Sequence, residues 1–237
     1  MAAREILAPG GRLRVGAFPG SPLSMKIDSK AGETHGLGID LGKELARRLD
    51  VAFAQVDYQR IADVLAAMKA GDVDFTLSNA TPARAVDVDF SQTLLSVELG
   101  YLAPALSPIM TITDLDKPGI RIGVTQGSTS QRTLPNMLPN ATVIPAQNSG
   151  RAIEMLQYRE LDVFATNKPT LFEMSDRMPG ARVLDGRWGV EHIAIAIPRG
   201  RETAMEYLRR FVEEMQTSGR LAQAVARAGL RGVVTTQ

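Results

Sequence analysis

The chain has 237 residues, 44% of them hydrophobic, enough to bury real cores as one large domain or two small ones. Its 27 basic and 26 acidic residues are interspersed and leave a formal charge of +1, so no basic stripe points to nucleic acid and no acidic tract forms a tail. The absence of cysteine excludes disulfides, thiolate metal sites and cysteine nucleophiles. No apolar run approaches the roughly 20 residues of a membrane helix, and the opening Met1-Ala-Ala-Arg-Glu-Ile-Leu lacks the apolar stretch of a signal peptide. The chain reads either as cytoplasmic or as a mature form with its leader removed.

Short apolar strands alternate with amphipathic helices. Leu13-Arg-Val15-Gly-Ala17 alternates at period two, and Leu41, Leu45 and Leu49 then fall on one helix face. Residues 51–56 read as the next strand, Ile61, Val64, Leu65 and Met68 as the next helix stripe, and residues 73–77 as a third strand. A second βαβαβ series runs from residues 120–124 through a helix beginning near Ser128, a strand at 141–144, a helix around 152–156 and a strand at 161–165. Residues 97–106 and Ile193-Ala-Ile195-Ala-Ile197 read as strands passing between two lobes. The C-terminal part is helical, with Leu208, Phe211, Val212 and Met215 at i, i+3, i+4 and i+7.

Ser78-Asn79-Ala80-Thr81-Pro82-Ala83-Arg84 carries the sharpest local signal. Thr81 suits an N-cap and Pro82 the first helical position, which places Arg84 inside the first turn of a helix. There the helix dipole disfavours a cation by roughly 0.3–1 kcal/mol, and a bound anion reverses that sign.

In their order, these motifs resemble the periplasmic solute-binding proteins of ABC importers, family 3, the polar amino-acid-binding type. Six matches carry the likeness: Gly36-Leu-Gly-Ile-Asp40-Leu, Ala70-Gly-Asp-Val-Asp74, Thr81-Pro-Ala-Arg84 with Val88-Asp-Phe90-Ser91, residues 122–129, residues 160–166, and Ile195-Ala-Ile-Pro-Arg-Gly200. The resemblance implies an α/β, two-lobed type II periplasmic-binding-protein fold, each lobe a sheet flanked by helices, with two hinge crossings. Lobe 1 would comprise residues 1–98 plus 195–237 and lobe 2 residues 99–194, with hinges near Gly100-Tyr101-Leu102 and His192-Ile193-Ala194 and the ligand in the cleft.

The implied activity is that of an extracytoplasmic, periplasmic receptor, monomeric and without cofactor, metal or catalytic group, that hands a small carboxylate ligand to an ABC permease after hinged closure. By the family's motif Arg84 takes the ligand carboxylate, with Asn79 and Thr81 lining the same pocket and Ser128 and Thr129 as a hydroxyl pair from the other lobe. Tyr58 and Phe18 are the candidate aromatic platforms, each with core packing as the alternative. His192, beside a hinge and next to Glu191, is a further lining candidate.

Some positions depart from the pattern. Where the family keeps an aspartate for the ligand's ammonium, this chain has Asn167, followed by Lys168. An amide does not neutralise a buried cation. The expected ligand is therefore a carboxylate without the zwitterion, or a dicarboxylate whose second charge meets Lys168, unless Asp40, Glu191 or Asp185 supplies the missing acid. Ser21 and Gly38 also replace family side chains. A cyclohexadienyl-dehydratase-like enzyme is the alternative on this fold, although the position of its catalytic acid falls near Thr170. A ligand-sensing module of a larger receptor is a third reading.

Overall fold

The computed structural model describes residues 3–27 and 32–234, so the expected lobe limits at residues 1 and 237 lie outside the described residues. The chain divides into two compact units: one runs up to Ser96 and resumes at His192–Leu230, and the other comprises Val97–Glu191 together with the chain from Arg231.

In the first unit, helix α1 (Ala3–Leu7) leads into strand β1 (Arg12–Ala17), a small hairpin of β2 (Lys26–Ile27) and β3 (Thr34–His35), and helix α2 (Leu37–Leu49). The expected leucine stripe on α2 is real: Leu41, Leu45 and Leu49 are all buried. Gly42 lets that helix sit close on β1, because a Cβ there would lie 2.6 Å from a methyl of Val15. Strand β4 (Ala52–Asp57) pairs in parallel with β1, and helix α3 (Ile61–Ala70) leads back to β5 (Thr76–Asn79). Strand β6 (Val88–Phe90) follows.

Between β5 and β6 the sequence predicts a helix, and the structure has only turns over residues 82–87. Arg84 and Ala85 donate back to the Thr81 carbonyl, and Asp87 and Val88 to that of Arg84. One turn is all that fits, since Val88 already pairs with Pro198. A dipole argument therefore does not apply to Arg84, because a single turn sums too few peptide dipoles.

Strand β7 (Leu95–Ala103) carries the chain into the second unit, where β8 (Arg121–Thr125), α4 (Thr129–Met137), β9 (Thr142–Ala146), α5 (Ser149–Gln157) and β10 (Val163–Asn167) follow. Strand β8 is parallel to both β9 and β10, and β10 is antiparallel to β7. Alternation along β10 builds two cores. Val163 and Ala165 join Ile122, Val124 and Leu134, whereas Phe164 joins Ile153, Leu156, Leu171 and Met174. Helix α6 (Lys168–Asp176) and the short strand β11 (Arg182–Val183) complete that run.

Strand β12 (Gly189–Pro198) returns the chain to the first unit, pairing antiparallel with β5 and β6. Helices α7 (Met205–Thr217) and α8 (Arg220–Arg227) follow, with Leu208, Phe211, Val212 and Met215 buried as their spacing predicts. The last strand, β13 (Val233–Val234), pairs with β7. Arg231 there binds Asp176 and stacks 4.7 Å from the Phe172 ring.

Each unit contains the same clamp, on β1 in the first and on β8 in the second. The backbone N–H and Nε of Arg14 donate to one oxygen of Asp74, at 3.0 and 2.8 Å, and Nη2 to the other at 2.9 Å. Arg121 holds Asp162 in the same way, at 2.7, 3.0 and 2.9 Å. These are the two aspartates of the Gly-Asp-Val-Asp74 and Glu-Leu-Asp162 motifs, and they tie strand ends together within each unit.

Candidate functional site

The first unit builds one group of candidates at the end of β5. Antiparallel pairing sets Asn79 opposite Ile193 and Ser78 opposite Ala194. The turn after Thr81 then folds Arg84 back onto the strand. Its Nη1 donates to Ser78 Oγ at 3.0 Å and to the Asn79 carbonyl at 3.5 Å, and the side chain is buried, 7% exposed. Thr81 Oγ1 accepts from the Arg84 N–H at 3.3 Å. Asn79 Oδ1 accepts from the His192 N–H at 3.1 Å, and the His192 ring meets Ser96 Oγ through Nδ1 at 3.0 Å.

A buried guanidinium presents a planar fork of N–H donors whose charge is costly to take out of water. A carboxylate offered to its fork offsets that cost through two parallel hydrogen bonds. Arg84, Asn79, Thr81 and His192 are thus brought together, and Ser78, which opens the motif but was not a candidate site residue, anchors the arginine.

Phe18 and Tyr58 stand elsewhere in that unit. Both are half-buried and pack against the cluster of Val64, Met68, Val73, Val88 and Ala196. Burial pushes the Tyr58 phenol above its ordinary range.

The second unit brings Thr129, Asn167 and Glu191 together. Ser128 caps α4, accepting the Gln131 N–H at 3.2 Å, and Gly127 at φ 75° donates its N–H to Gln131 Oε1. The Thr129 hydroxyl donates to Glu191 Oε1 at 3.1 Å. Asn167 uses both ends of its amide. Oδ1 accepts the Thr170 N–H and caps α6, while Nδ2 donates to Glu191 Oε2, each at 3.1 Å. Glu191 is buried, 7% exposed. Against the Asn167 amide thus lies Glu191, on β12, one of the three acids the sequence offered as an alternative. Of the other two acids considered, Asp40 pairs with Arg227 and Asp185 is exposed.

Lys168 is likewise committed within its own unit. Its Nζ lies 2.6 Å from Glu98 Oε2, Arg187 holds the other oxygen at 3.2 Å, and the Lys168 contact holds the Glu98 carboxyl below its usual range. The lysine stem also lies where a side chain at Gly100 or Gly232 would stand. Thr170 is no acid, and among the described residues no group of three or more His, Asp or Glu side chains is placed to hold a metal. No described helix is long and apolar enough to cross a membrane.

Residues 13–229 match the model of the bacterial extracellular solute-binding proteins, family 3. The ABC transporter glutamine-binding protein GlnH of Bacillus subtilis is 24% identical over 194 residues, covering 80% of this chain and 71% of that protein. Among solved structures, a mutant of ArgBP from T. maritima superposes with a TM-score of 0.84 at 21% identity, covering 96% of this chain and 99% of that one. An ancestral amino-acid-binding protein, described as a precursor of cyclohexadienyl dehydratase, gives 0.82 at 24% identity, covering 95% and 99%. The fold is thus the α/β fold of the periplasmic binding proteins, and the curated relatives are binding proteins rather than enzymes.

Proposed function

Because the chain belongs to the bacterial extracellular solute-binding proteins, family 3, we propose that it is the receptor of an ABC importer for a small amino acid, gripped at its carboxylate by Arg84. The buried Arg84 guanidinium, folded by the Thr81 turn onto Ser78 and Asn79, is the observation that carries this reading. A carboxylate is its natural complement in charge and in fork geometry. The Glu191 carboxylate against the Asn167 amide supports a ligand that keeps its amine. The receptor acts outside the cytoplasm as a monomer, passes its ligand to a permease, and turns nothing over.

A thermal-shift screen with the twenty standard L-amino acids tests this. A ligand at 100 times its Kd adds about 2.7 kcal/mol of stability, a rise of roughly 5–11 °C for a chain of this size. Arg84→Ala abolishes that rise, and a shift retained in the variant shows that the carboxylate is held elsewhere.

A further inference from the structure

We infer that the second unit carries a protein-docking site, a cavity between the loop at residues 104–110 and the end of helix α5, which fits a partner segment presenting an apolar side chain beside a carboxylate. The partner is the membrane-embedded part of the importer. The inference therefore rests on the reading of this chain as a receptor, and it names a surface by which that receptor is held.

The cavity measures about 470 Å³, with Leu156, Leu161, Met178 and Pro179 among its walls. Two strained residues line it as well. Leu106 has φ 64° and Arg159 φ 57°, in the left-handed region, and Asp50 is the one other non-glycine residue there among the described residues. Each occupies a glycine position. The Ser107 N–H closes a turn on the Pro104 carbonyl at 3.2 Å with Leu106 third in it. Arg159 follows the end of α5, where its N–H returns to Leu156 at 3.2 Å and that of Glu160 to Met155 at 2.8 Å. Glycine would serve both turns without strain, so the two side chains are kept for something other than the fold.

Leu106 is 91% exposed, and Met110 and Tyr158, on the same two segments, are also large apolar side chains left in water. The loop that carries Leu106 is nonetheless fixed. Arg182 Nη2 donates to the Ser107 and Ile109 carbonyls at 3.2 and 2.8 Å, and Ile109 itself is buried. A rigid apolar knob beside a small cavity loses little freedom on binding, which suits it to a protein contact.

Charge selects the partner. The Asp162 carboxylate in the cavity wall is held through both oxygens by Arg121, and Glu160 is taken by Arg151 at 2.7 Å. Arg159 is exposed and pairs with no acid among the described residues. The charge offered to a partner is therefore positive. A second copy of this chain would bring the same unpaired arginine to the same small patch, so the complement is an acidic segment of a different protein.

The experiment reconstitutes the amino-acid ABC importers of the same genome in proteoliposomes and titrates each with ligand-loaded wild type, Leu106→Gly or Arg159→Gly, reading ATP hydrolysis. Tm and the amino-acid Kd are measured on the same samples. Both variants melt at or above the wild-type temperature and bind the amino acid within about twofold of wild type. The protein concentration that half-maximally stimulates hydrolysis rises about tenfold or more in each. Salt raised from about 0.05 to 0.3 M weakens stimulation by wild type more than by Arg159→Gly. Variants that stimulate as wild type does, or that melt below it, overturn the docking site and leave the receptor reading standing. An equal salt response in Arg159→Gly overturns the acidic partner, and a wild-type dimer in sedimentation that Leu106→Gly abolishes shows a second copy seated there instead. A wild type that stimulates none of these importers overturns the receptor reading itself, and this inference with it.

Discussion

The two aspartate clamps differ in burial, which sets their worth, and in a second arginine that grips Asp74. Asp74 is 0% exposed at its side chain and is gripped by Arg14 and also by Arg201 Nη1 at 3.0 Å, whereas Asp162 and its Arg121 are 29% and 38% exposed. Breaking a buried ion pair by removing one partner costs about 3–5 kcal/mol, because the charge left behind stays desolvated. A pair with a third of its surface in water is worth about 0.5–1.5 kcal/mol after solvent screening. With 2–4 °C of melting temperature per kcal/mol for a chain of this length, Asp74→Asn lowers Tm by roughly 6–20 °C and Asp162→Asn by roughly 1–6 °C. Both replacements keep the side-chain shape and turn one oxygen into an amide that faces a donor. Thermal melts of the two variants, without ligand and in the same buffer, decide the matter. Equal shifts, or a larger one for Asp162→Asn, would refute burial as the controlling variable.

Three further outcomes follow from individual contacts. The Glu44 carboxyl, hydrogen-bonded by Arg47 and Arg48, is lowered to about 2. A depressed carboxyl contributes stability that is fully present above its unfolded value of about 4.3 and is lost as pH falls through the folded one, so Glu44→Gln flattens the loss of Tm between about pH 4.5 and 2. Gly36→Ala sets a Cβ 2.3 Å from the Ser24 carbonyl oxygen, a backbone atom that does not move cheaply, and costs about 1–3 kcal/mol in urea unfolding. Lys168→Met removes the partner of Glu98 at 2.6 Å and lowers stability by about 1–2 kcal/mol, while changing the relative affinities for neutral and acidic amino acids by less than about threefold in a calorimetric titration.

Periodicity made most of the elements legible. The α2 leucines and the α7 stripe announce themselves because burial on one face imposes a period of 3.6, whereas residues 193–197 read as a strand through a continuous apolar run buried on both faces. The turn after Thr81 did not, because cap residues report how a helix starts and not whether the chain has room to continue it. Val88 is already in strand pairing four residues beyond Arg84. Helix α6 went unread although Asn167 and Pro169 are good starting residues, since Asn167 was weighed as a ligand group and not as a cap. At the site, Arg84 was legible as an isolated motif. The partnership of Asn167 with Glu191 was not, because the two lie 24 positions apart and meet only through the end of β10 and the start of β12. The Lys168 partner was illegible for the same reason: Glu98 is 70 positions away.

Identifying the small molecule that travels with the protein tests the central claim most directly. The measurement is mass spectrometry of the fraction released when protein purified under native conditions is denatured. The account predicts an α-amino carboxylic acid in near-stoichiometric amount, one that rebinds stripped wild type and fails to rebind Arg84→Ala. A released ligand with no carboxylate, or one that rebinds Arg84→Ala with unchanged affinity, would contradict it.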